Sequence, residues 1–353
     1  MRIAFLTGTP LEVARGSGTY TGIATLARGL ESLGHPVEFF TPRLRLPVFT
    51  AERLLFNERL RRMNYEAFDA VVGFDMDGYR LRTPHVAALK GVIADEMRFE
   101  RGVTRATMAV QARCERAHVQ RAARVIATSA YSACRIREFY GREAVVVPEC
   151  IDIARWAALL PAPAPRERFT VLCVCRFYPR KRVDLLLRAV ALMGEDIDVR
   201  IVGGGPEERR LRALAESLAL GDRVRWLGTI PQAALAREYS GCGAFCLPSV
   251  QEGFGIVFLE AMAAGKPIVA ARAAAVPEVV REGLLVEPES AEAVAAALDR
   301  LRRSPELRAS LAEAGRRAVA EWDAPRVAAR FLEVIARREV PAAISAGGDE
   351  WNR

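Results

Sequence analysis

Short runs of apolar, β-favouring residues alternate with amphipathic stretches along almost the whole 353-residue chain. This is the pattern of strand–helix units in a parallel sheet. Strands are predicted at Arg2–Thr7, Pro36–Phe40, Ala70–Phe74, His85–Leu89, Arg124–Thr128 and Ala144–Val147, with a helix over Thr19–Leu33. Leu160–Pro165 interrupts the alternation, because its three prolines at every second position can continue neither a helix nor a central strand. Beyond it the pattern resumes with strands at Thr170–Cys175, Asp198–Val202, Val224–Leu227, Ala244–Leu247 and Pro267–Ala270. Between and after these, helices are predicted at Val183–Leu192, Glu207–Leu218, Gln232–Tyr239, Ile256–Ala264, Ala291–Arg303 and Pro305–Glu321.

The expected fold is therefore α/β, with two facing Rossmann-like, doubly wound parallel-sheet domains and a cleft between them. The boundaries fall at residues 1–160 and 166–324. A last helix at about 325–339 is placed to cross back to the first domain, and the Ala/Gly-rich tail 340–353 is expected to be disordered. In such sheets ligands bind outside the carboxyl ends of the strands, so the cleft is the first place to look for chemistry.

Composition narrows the classes. No apolar run approaches the ~20 residues needed to cross a bilayer, and Met1–Phe5 is a short strand without a cleavage-site pattern. A cytoplasmic protein is expected. Seven cysteines without a Cys-x-x-Cys pair, and only three histidines, argue against both a disulfide framework and a zinc site. Of the net charge of +8, +6 lies in residues 1–150, where 22 Lys and Arg face 16 Asp and Glu. A basic first half suits an anionic substrate or peripheral contact with an anionic membrane at the inner face. An arginine-rich composition with only three lysines explains the same excess. Nothing in the pattern calls for nucleic acid. Arg53, Arg59, Arg61 and Arg62 interleave with Leu54, Leu55, Phe56, Leu60 and Met63, which reads as a helix lying on a membrane or, more commonly, one packed on a core with a charged outer face.

Three segments carry candidate chemistry. Glu252-Gly-Phe-Gly-Ile-Val-Phe-Leu-Glu260 sets two carboxylates eight positions apart around a glycine turn and a helix start. Gly253 and Gly255 let the backbone approach a ligand, and the free N–H groups suit an anion. Glu252 precedes the helix and can accept from sugar hydroxyls, whereas Glu260 projects from its early turns and can hold a ribose. Cys175-Arg-Phe-Tyr-Pro-Arg-Lys-Arg-Val183 follows a strand's carboxyl end. There Arg176 and Lys181, a planar fork and a point charge, can neutralise a diphosphate together. Arg15-Gly-Ser-Gly-Thr-Tyr20 precedes the first helix, and Gly18 would aim that helix's positive end at the same place. Val202-Gly-Gly-Gly-Pro206 is a further glycine turn that does not match the dinucleotide-binding fingerprint.

These segments carry a family resemblance. The second half resembles glycosyltransferase family 4, retaining enzymes of the GT-B fold also described as glycosyl transferases group 1. The resemblance rests on Arg176 and Lys181, Gly203-Gly-Gly-Pro206, Arg225-Trp-Leu-Gly-Thr-Ile-Pro231, Leu247-Pro-Ser249, Glu252 through Glu260, Ala261-Met-Ala-Ala-Gly-Lys-Pro267 and Pro277-Glu-Val-Val280. The first half is similar more loosely, in Gly16-Ser-Gly18, Gly34-His35 and Arg124-Val-Ile-Ala-Thr-Ser129. Its Val147-Pro-Glu-Cys-Ile-Asp152 looks like the family's proline-asparagine-glycine-isoleucine-aspartate segment.

The resemblance implies transfer of a sugar, with retention, from a nucleotide-diphosphate sugar to a glycan, lipid-linked or small-molecule acceptor, without a metal or other cofactor. Arg176 and Lys181 would hold the diphosphate, helped by backbone N–H groups near Gly18 and Gly255. Glu260 would bind the ribose, Glu252 the sugar, and the Thr229–Ile230 backbone the base. Gly204, Gly253, Phe254, Ile256 and Val257 complete the donor-side candidates. The family often has a histidine on the first domain's side of the cleft. Gly91-Val-Ile-Ala-Asp-Glu-Met97 has none, so Asp95 is the candidate polar group by the reacting carbon or an acceptor contact, with Glu96 beside it on the acceptor side. Asp75-Met-Asp77 spells a metal-binding signature but follows a strand of the wrong domain for that role. Asp77 is expected to touch acceptor or cap a loop, and His118, in a helical stretch, to be surface structure. The rivals are a related phosphorylase or sugar-nucleotide epimerase, and a catalytically inactive subunit that only binds nucleotide sugar.

Overall fold

The computed structural model describes residues 1–9, 18–44, 46, 48–162 and 166–336. Residues 15–17 of the first glycine loop, 163–165 of the proline-rich stretch and the expected tail lie outside them.

The first half runs β1 (Ile3–Leu6), α1 (Gly18–Ser32), β2 (Val37–Phe40), α2 (Phe49–Leu60), β3 (Ala70–Phe74), β4 (Val86–Leu89), α3 (Ile93–Glu96), α4 (Gly102–Arg121), β5 (Arg124–Ala127), α5 (Ala130–Tyr140), β6 (Val145–Val146) and α6 (Ile153–Leu159). The second runs β7 (Phe169–Val174), α7 (Val183–Ala191), β8 (Ile197–Val202), α8 (Glu208–Ser217), β9 (Val224–Gly228) and α9 (Gln232–Gly241). It continues through β10 (Ala244–Leu247), α10 (Ile256–Ala263), β11 (Ile268–Ala271), α11 (Val276–Val279) and β12 (Leu284–Val286). Three helices close the described chain: α12 (Ala291–Arg303), α13 (Pro305–Ala318) and α14 (Ala324–Ala336).

Both sheets have six strands, in the orders β2-β1-β3-β4-β5-β6 and β12-β11-β10-β7-β8-β9, and every recorded pairing is parallel. The expected pair of doubly wound sheets is present. Strands such as β1 and β10 are apolar throughout and buried at every position, because helices cover both faces of the sheet. Local chemistry sets the helix starts. Ser129, Ser290 and Ser304 each accept a hydrogen bond from a backbone N–H three residues on, at the starts of α5, α12 and α13.

In each sheet the winding reverses beside the first strand: between β1 and β3, and between β7 and β10. At these points two loops leave in opposite directions and open a crevice at the strands' carboxyl ends.

Two elements sit across the divide from their sequence neighbours. α6 precedes the proline-rich stretch yet packs into the second domain, where Trp156 is buried in the core and its indole Nε1 donates to the Glu260 carbonyl at 3.1 Å. α14 follows the second domain but packs on α1, burying Val327, Ala328 and Phe331 in the first. The chain thus crosses near Ile151 and returns at Asp323, and the two crossings are bridged: Ile151 N donates to Trp322 O at 3.0 Å and Ala324 N to Ile151 O at 2.9 Å.

α2 packs on the core through Phe56 and Leu60, but its Arg53 points inward rather than outward. His118 is wholly buried, which corrects its reading as surface structure. Its Nδ1 meets the Asp75 carbonyl at 2.6 Å and its ring stacks on His85 with centroids 5.1 Å apart. Burial holds its pKa down to about 3, so the ring is neutral at any physiological pH. No helix among the described residues is long and apolar enough to cross a membrane.

Candidate functional site

A cavity of about 180 Å³ opens where the second sheet reverses, between the ends of β7 and β10. Its walls bring together Gly18, Arg176, Lys181, Glu252, Gly253, Phe254, Gly255, Ile256 and Val257, all singled out from the sequence. Gly255 heads α10 at φ 98°, a left-handed conformation that favours glycine, and so turns the backbone sharply from loop into helix. α1 starts at Gly18 on the opposite wall, so two positive helix ends face one space. A second cavity of about 450 Å³ adjoins it on the first domain's side, between the ends of β1 and β3, with Thr9 and Asp75 on its wall. Thr19, Lys90, Glu96, Arg176 and Tyr178 line both.

The cleft is neutralised from within. Lys181 Nζ lies 2.7 Å from Glu252 Oε1, so the expected diphosphate cation and the expected sugar-binding carboxylate hold each other. Lys90 Nζ lies 2.8 Å from Glu149 Oε2. Arg180 reaches across the cleft to Glu96 at 2.9 Å and Glu100 at 3.2 Å. Among the described residues, the side chain of Arg176 alone of the four cations of the first cavity makes no hydrogen bond or ion pair. Lys90, Glu149, Tyr178, Arg180 and Gln251 were not foreseen as wall residues, because nothing in their local sequence distinguishes them from ordinary loop polarity.

Several candidates lie elsewhere. Asp95 is 1% exposed and lines neither cavity. Tyr131 Oη donates to it at 2.7 Å, Gln251 Nε2 at 3.3 Å and Arg98 at 3.4 Å, so it serves as a bridge between the domains. This corrects its placement beside the reacting carbon. Asp77, the acceptor-side candidate, is wholly buried. Arg53 donates to both its oxygens (2.7 and 3.2 Å), Asn57 to one (2.9 Å) and the Gly8 N–H to the other (2.5 Å), leaving no capacity for a ligand. The aspartate of that motif that lines the second cavity is Asp75, whose Oδ1 accepts from Lys90 N at 2.9 Å. Burial raises its carboxyl to about 6. Among the described residues no three His, Cys, Asp or Glu side chains gather as a metal-ligand set. Gly204, Thr229 and Ile230 follow β8 and β9, farther along the sheet, and line neither cavity.

Glu260 also stands off both walls, 9% exposed. Tyr239 Oη donates to its Oε2 at 3.0 Å, and no hydrogen bond is recorded to Oε1. Burial outweighs that bond and raises the carboxyl to about 7.

The domains are also tied through backbone groups. The Gly253 carbonyl accepts from Ser129 (2.8 Å), Thr128 (3.0 Å) and Ser132 (3.1 Å) of the first domain. At the start of α5, the Ala130 and Tyr131 N–H groups donate to the Glu278 carboxylate, both at 2.7 Å.

Comparison with known proteins agrees with this layout. Residues 161–318 match the family model described as "Glycosyl transferases group 1". A GDP-mannose-dependent alpha-(1-6)-phosphatidylinositol monomannoside mannosyltransferase of Mycolicibacterium smegmatis is 31% identical over 233 residues, covering 60% of this chain and 61% of the relative. The chain thus spans about three fifths of the length of the curated relatives it first matches. Among solved structures, sucrose-phosphate synthase of Thermosynechococcus elongatus superposes with a TM-score of 0.81 at 22% identity, over 95% of this chain and 98% of that one. Anabaena Alr3699/HepE in complex with UDP and glucose does so at 0.73 and 20% identity, over 95% and 99%. At these identities the structures speak for the fold.

A carboxyl raised from 4.5 to about 7 keeps a proton in the folded state that the unfolded chain has released. The stability linked to Glu260 is therefore present below about pH 4.5 and is lost as pH climbs through about 7. Glu260→Gln removes that loss. Its melting temperature relative to the parent should rise between pH 5 and pH 8, by an amount worth on the order of 3 kcal/mol. A difference that stays constant across that range, read by thermal denaturation, would show that Glu260 titrates as an ordinary carboxylate.

Proposed function

We propose, from a C-terminal half that belongs to glycosyl transferases group 1, that this chain transfers a sugar from a nucleotide-diphosphate sugar to a hydroxyl of an acceptor, with retention and without a metal. The observation that carries the reading is the shared wall of the two cavities. Thr19, Lys90, Glu96, Arg176 and Tyr178 border both, so an acceptor in the second cavity would approach from the side on which a diphosphate leaves the first. Attack and departure on one face of the sugar is the geometry of retention. The acceptor's proton can pass to the departing phosphate oxygen, which needs no protein nucleophile.

The roles follow from position. Arg176, whose side chain has no partner among the described residues, is the first contact for the diphosphate, and the starts of α1 and α10 add backbone dipoles. Lys181 joins it by exchanging Glu252 for phosphate, which releases the Glu252 carboxylate to the sugar hydroxyls. Glu260, one turn of α10 behind the Ile256–Val257 wall, would turn its Oε1 to the ribose while Tyr239 fixes the other oxygen. The name of the mycobacterial relative points to GDP-mannose as donor and an inositol lipid as acceptor, and that of the Anabaena complex to UDP and glucose. Leu44, Val48, Phe49 and Leu55 stand exposed beside Arg43, and Phe49 also lines the second cavity, which supports presentation of a lipid acceptor at an anionic surface.

The exchange of partners makes opposite predictions for its two members. Lys181→Ala should weaken GDP and UDP binding by about tenfold or more, as a phosphate contact in a partly desolvated site is lost. Glu252→Gln should leave that affinity equal or raise it, since Lys181 is freed, while cutting turnover by about 100-fold. Calorimetry and a transfer assay read both, and parallel losses of diphosphate affinity in the two variants would sink the exchange. Transfer should also survive EDTA. Activity abolished by chelation and restored by manganese or magnesium would overturn the metal-independent reading. Co-sedimentation with vesicles of anionic phospholipid should fall on Leu44→Ser/Leu55→Ser substitution, and binding unchanged by that pair would remove the membrane surface.

A further inference from the structure

We infer that Lys90 and Glu149 act together as a fixed hydrogen-bonding pair that grips the transferred sugar where the two cavities meet, and so decide which nucleotide sugar is used. This rests on the glycosyl-transfer reading and deepens it.

Lys90 is the first residue past the carboxyl end of β4, and Glu149 lies on the segment that carries the chain out of the first domain. Their side chains are 8% and 5% exposed, and the charged atoms stand 2.8 Å apart. A pair so far withdrawn from water adds little stability, because desolvation offsets most of the attraction and apolar side chains of similar volume would pack as well. A purely structural role therefore gives no reason for charges here. A ligand does: Lys90 borders both cavities and Glu149 the first.

The pair is also held rigidly. The Lys90 N–H donates to Asp75 Oδ1 at 2.9 Å, and the ammonium sits 5.5 Å from the centroid of the Phe74 ring. On the other side Gly22 of α1 leaves the space that the Glu149 carboxylate fills, since a β-carbon there would overlap it. Glu149 is thus packed closely against α1, and the Lys90 ammonium rests between Glu149 and the Phe74 ring.

Its chemistry fits a diol better than a phosphate. The ammonium has three protons, one of which it donates to Glu149, and the carboxylate keeps further lone pairs. Two neighbouring hydroxyls answer both at once: one accepts from Lys90 while the other donates to Glu149. A phosphate would meet the Glu149 charge, and Arg176 is better placed for it. Since the pair is neutral overall, it would discriminate by hydroxyl orientation rather than by charge.

The test compares GDP with GDP-mannose and UDP with UDP-glucose by calorimetry, for the parent chain and for Lys90→Met/Glu149→Leu, which removes both charges together and keeps the volume. The expected result is a ratio of nucleotide-sugar to free-diphosphate affinity lowered by about tenfold for the donor the parent prefers, with the diphosphate alone within about threefold. Transfer should be lost as well. An unchanged ratio, or equal loss of affinity for the diphosphate and its sugar, overturns the assignment. Should circular dichroism show that the double variant is unfolded, Lys90→Arg keeps the ion pair but alters its reach. The ratio should then shift in that variant, and a ratio equal to the parent's overturns the proposal. A parent chain that binds neither GDP nor UDP fails the glycosyl-transfer reading itself, an outcome distinct from any of these.

Discussion

The charges of the cleft must be balanced before any ligand arrives, and this constraint organises the site. Lys90, Arg180 and Lys181 each meet a carboxylate supplied by a different segment, Glu149, Glu96 with Glu100, and Glu252. Unpaired, three such cations in a half-dry crevice would repel one another and pull the domains apart. Paired, they do the reverse, for Arg180 stitches the second domain to the first. The balance also dictates how an anion can enter. It meets Arg176 and two helix starts first, and any further cation must be taken from a carboxylate that is then left free for a neutral, hydroxylated group. A site charged in this way is suited to a ligand that is anionic at one end and polar but uncharged at the other.

The contacts through backbone groups add position to that balance. Three hydroxyls from around the start of α5 converge on the Gly253 carbonyl, and the α5 N–H groups hold Glu278. Gly253 lies between Glu252 and the start of α10, so the interface between domains is built from the same turn that forms the cavity wall. Movement of one domain is therefore felt directly by the residues that line the cavity.

Much of this was legible in the sequence, for definable reasons. The strands are short apolar runs, most of them buried on both faces, and eleven of the twelve stand out by composition alone. β12 does not, because Leu284–Val286 is only three residues long and follows a glycine-containing turn. The glycine turn after Glu252 and the Arg176–Lys181 loop were readable because strand-end loops carry ligands and both hold unusual chemistry within a few positions. Asp95 and Asp77 misled, since a carboxylate next to a strand end looks alike whether it faces a ligand or a neighbouring arginine or tyrosine. His118 misled because a histidine on an arginine-rich helix gives no sign that its face is inward. Lys90 and Glu149 could not be paired at all: 59 positions separate them, and only the parallel winding of β4, β5 and β6 brings them together.

The two passages of chain between the domains lie side by side, joined through Ile151 and Asp323, with Ile153 N also donating to the Asp323 carboxylate at 3.2 Å. Two tethers fastened to each other act as the spine of a book. Rotation about the spine parts the covers at their free edge, where each hydrogen bond described involves a side chain, whereas sliding one cover along the other would tear the spine's own backbone hydrogen bonds. The molecule is thus given one easy direction of movement and denied the rest. A ligand long enough to touch both covers enters at the free edge, and it leaves by the same way. The order in which the groups at that edge let go is then the order in which the halves of a divided ligand can depart.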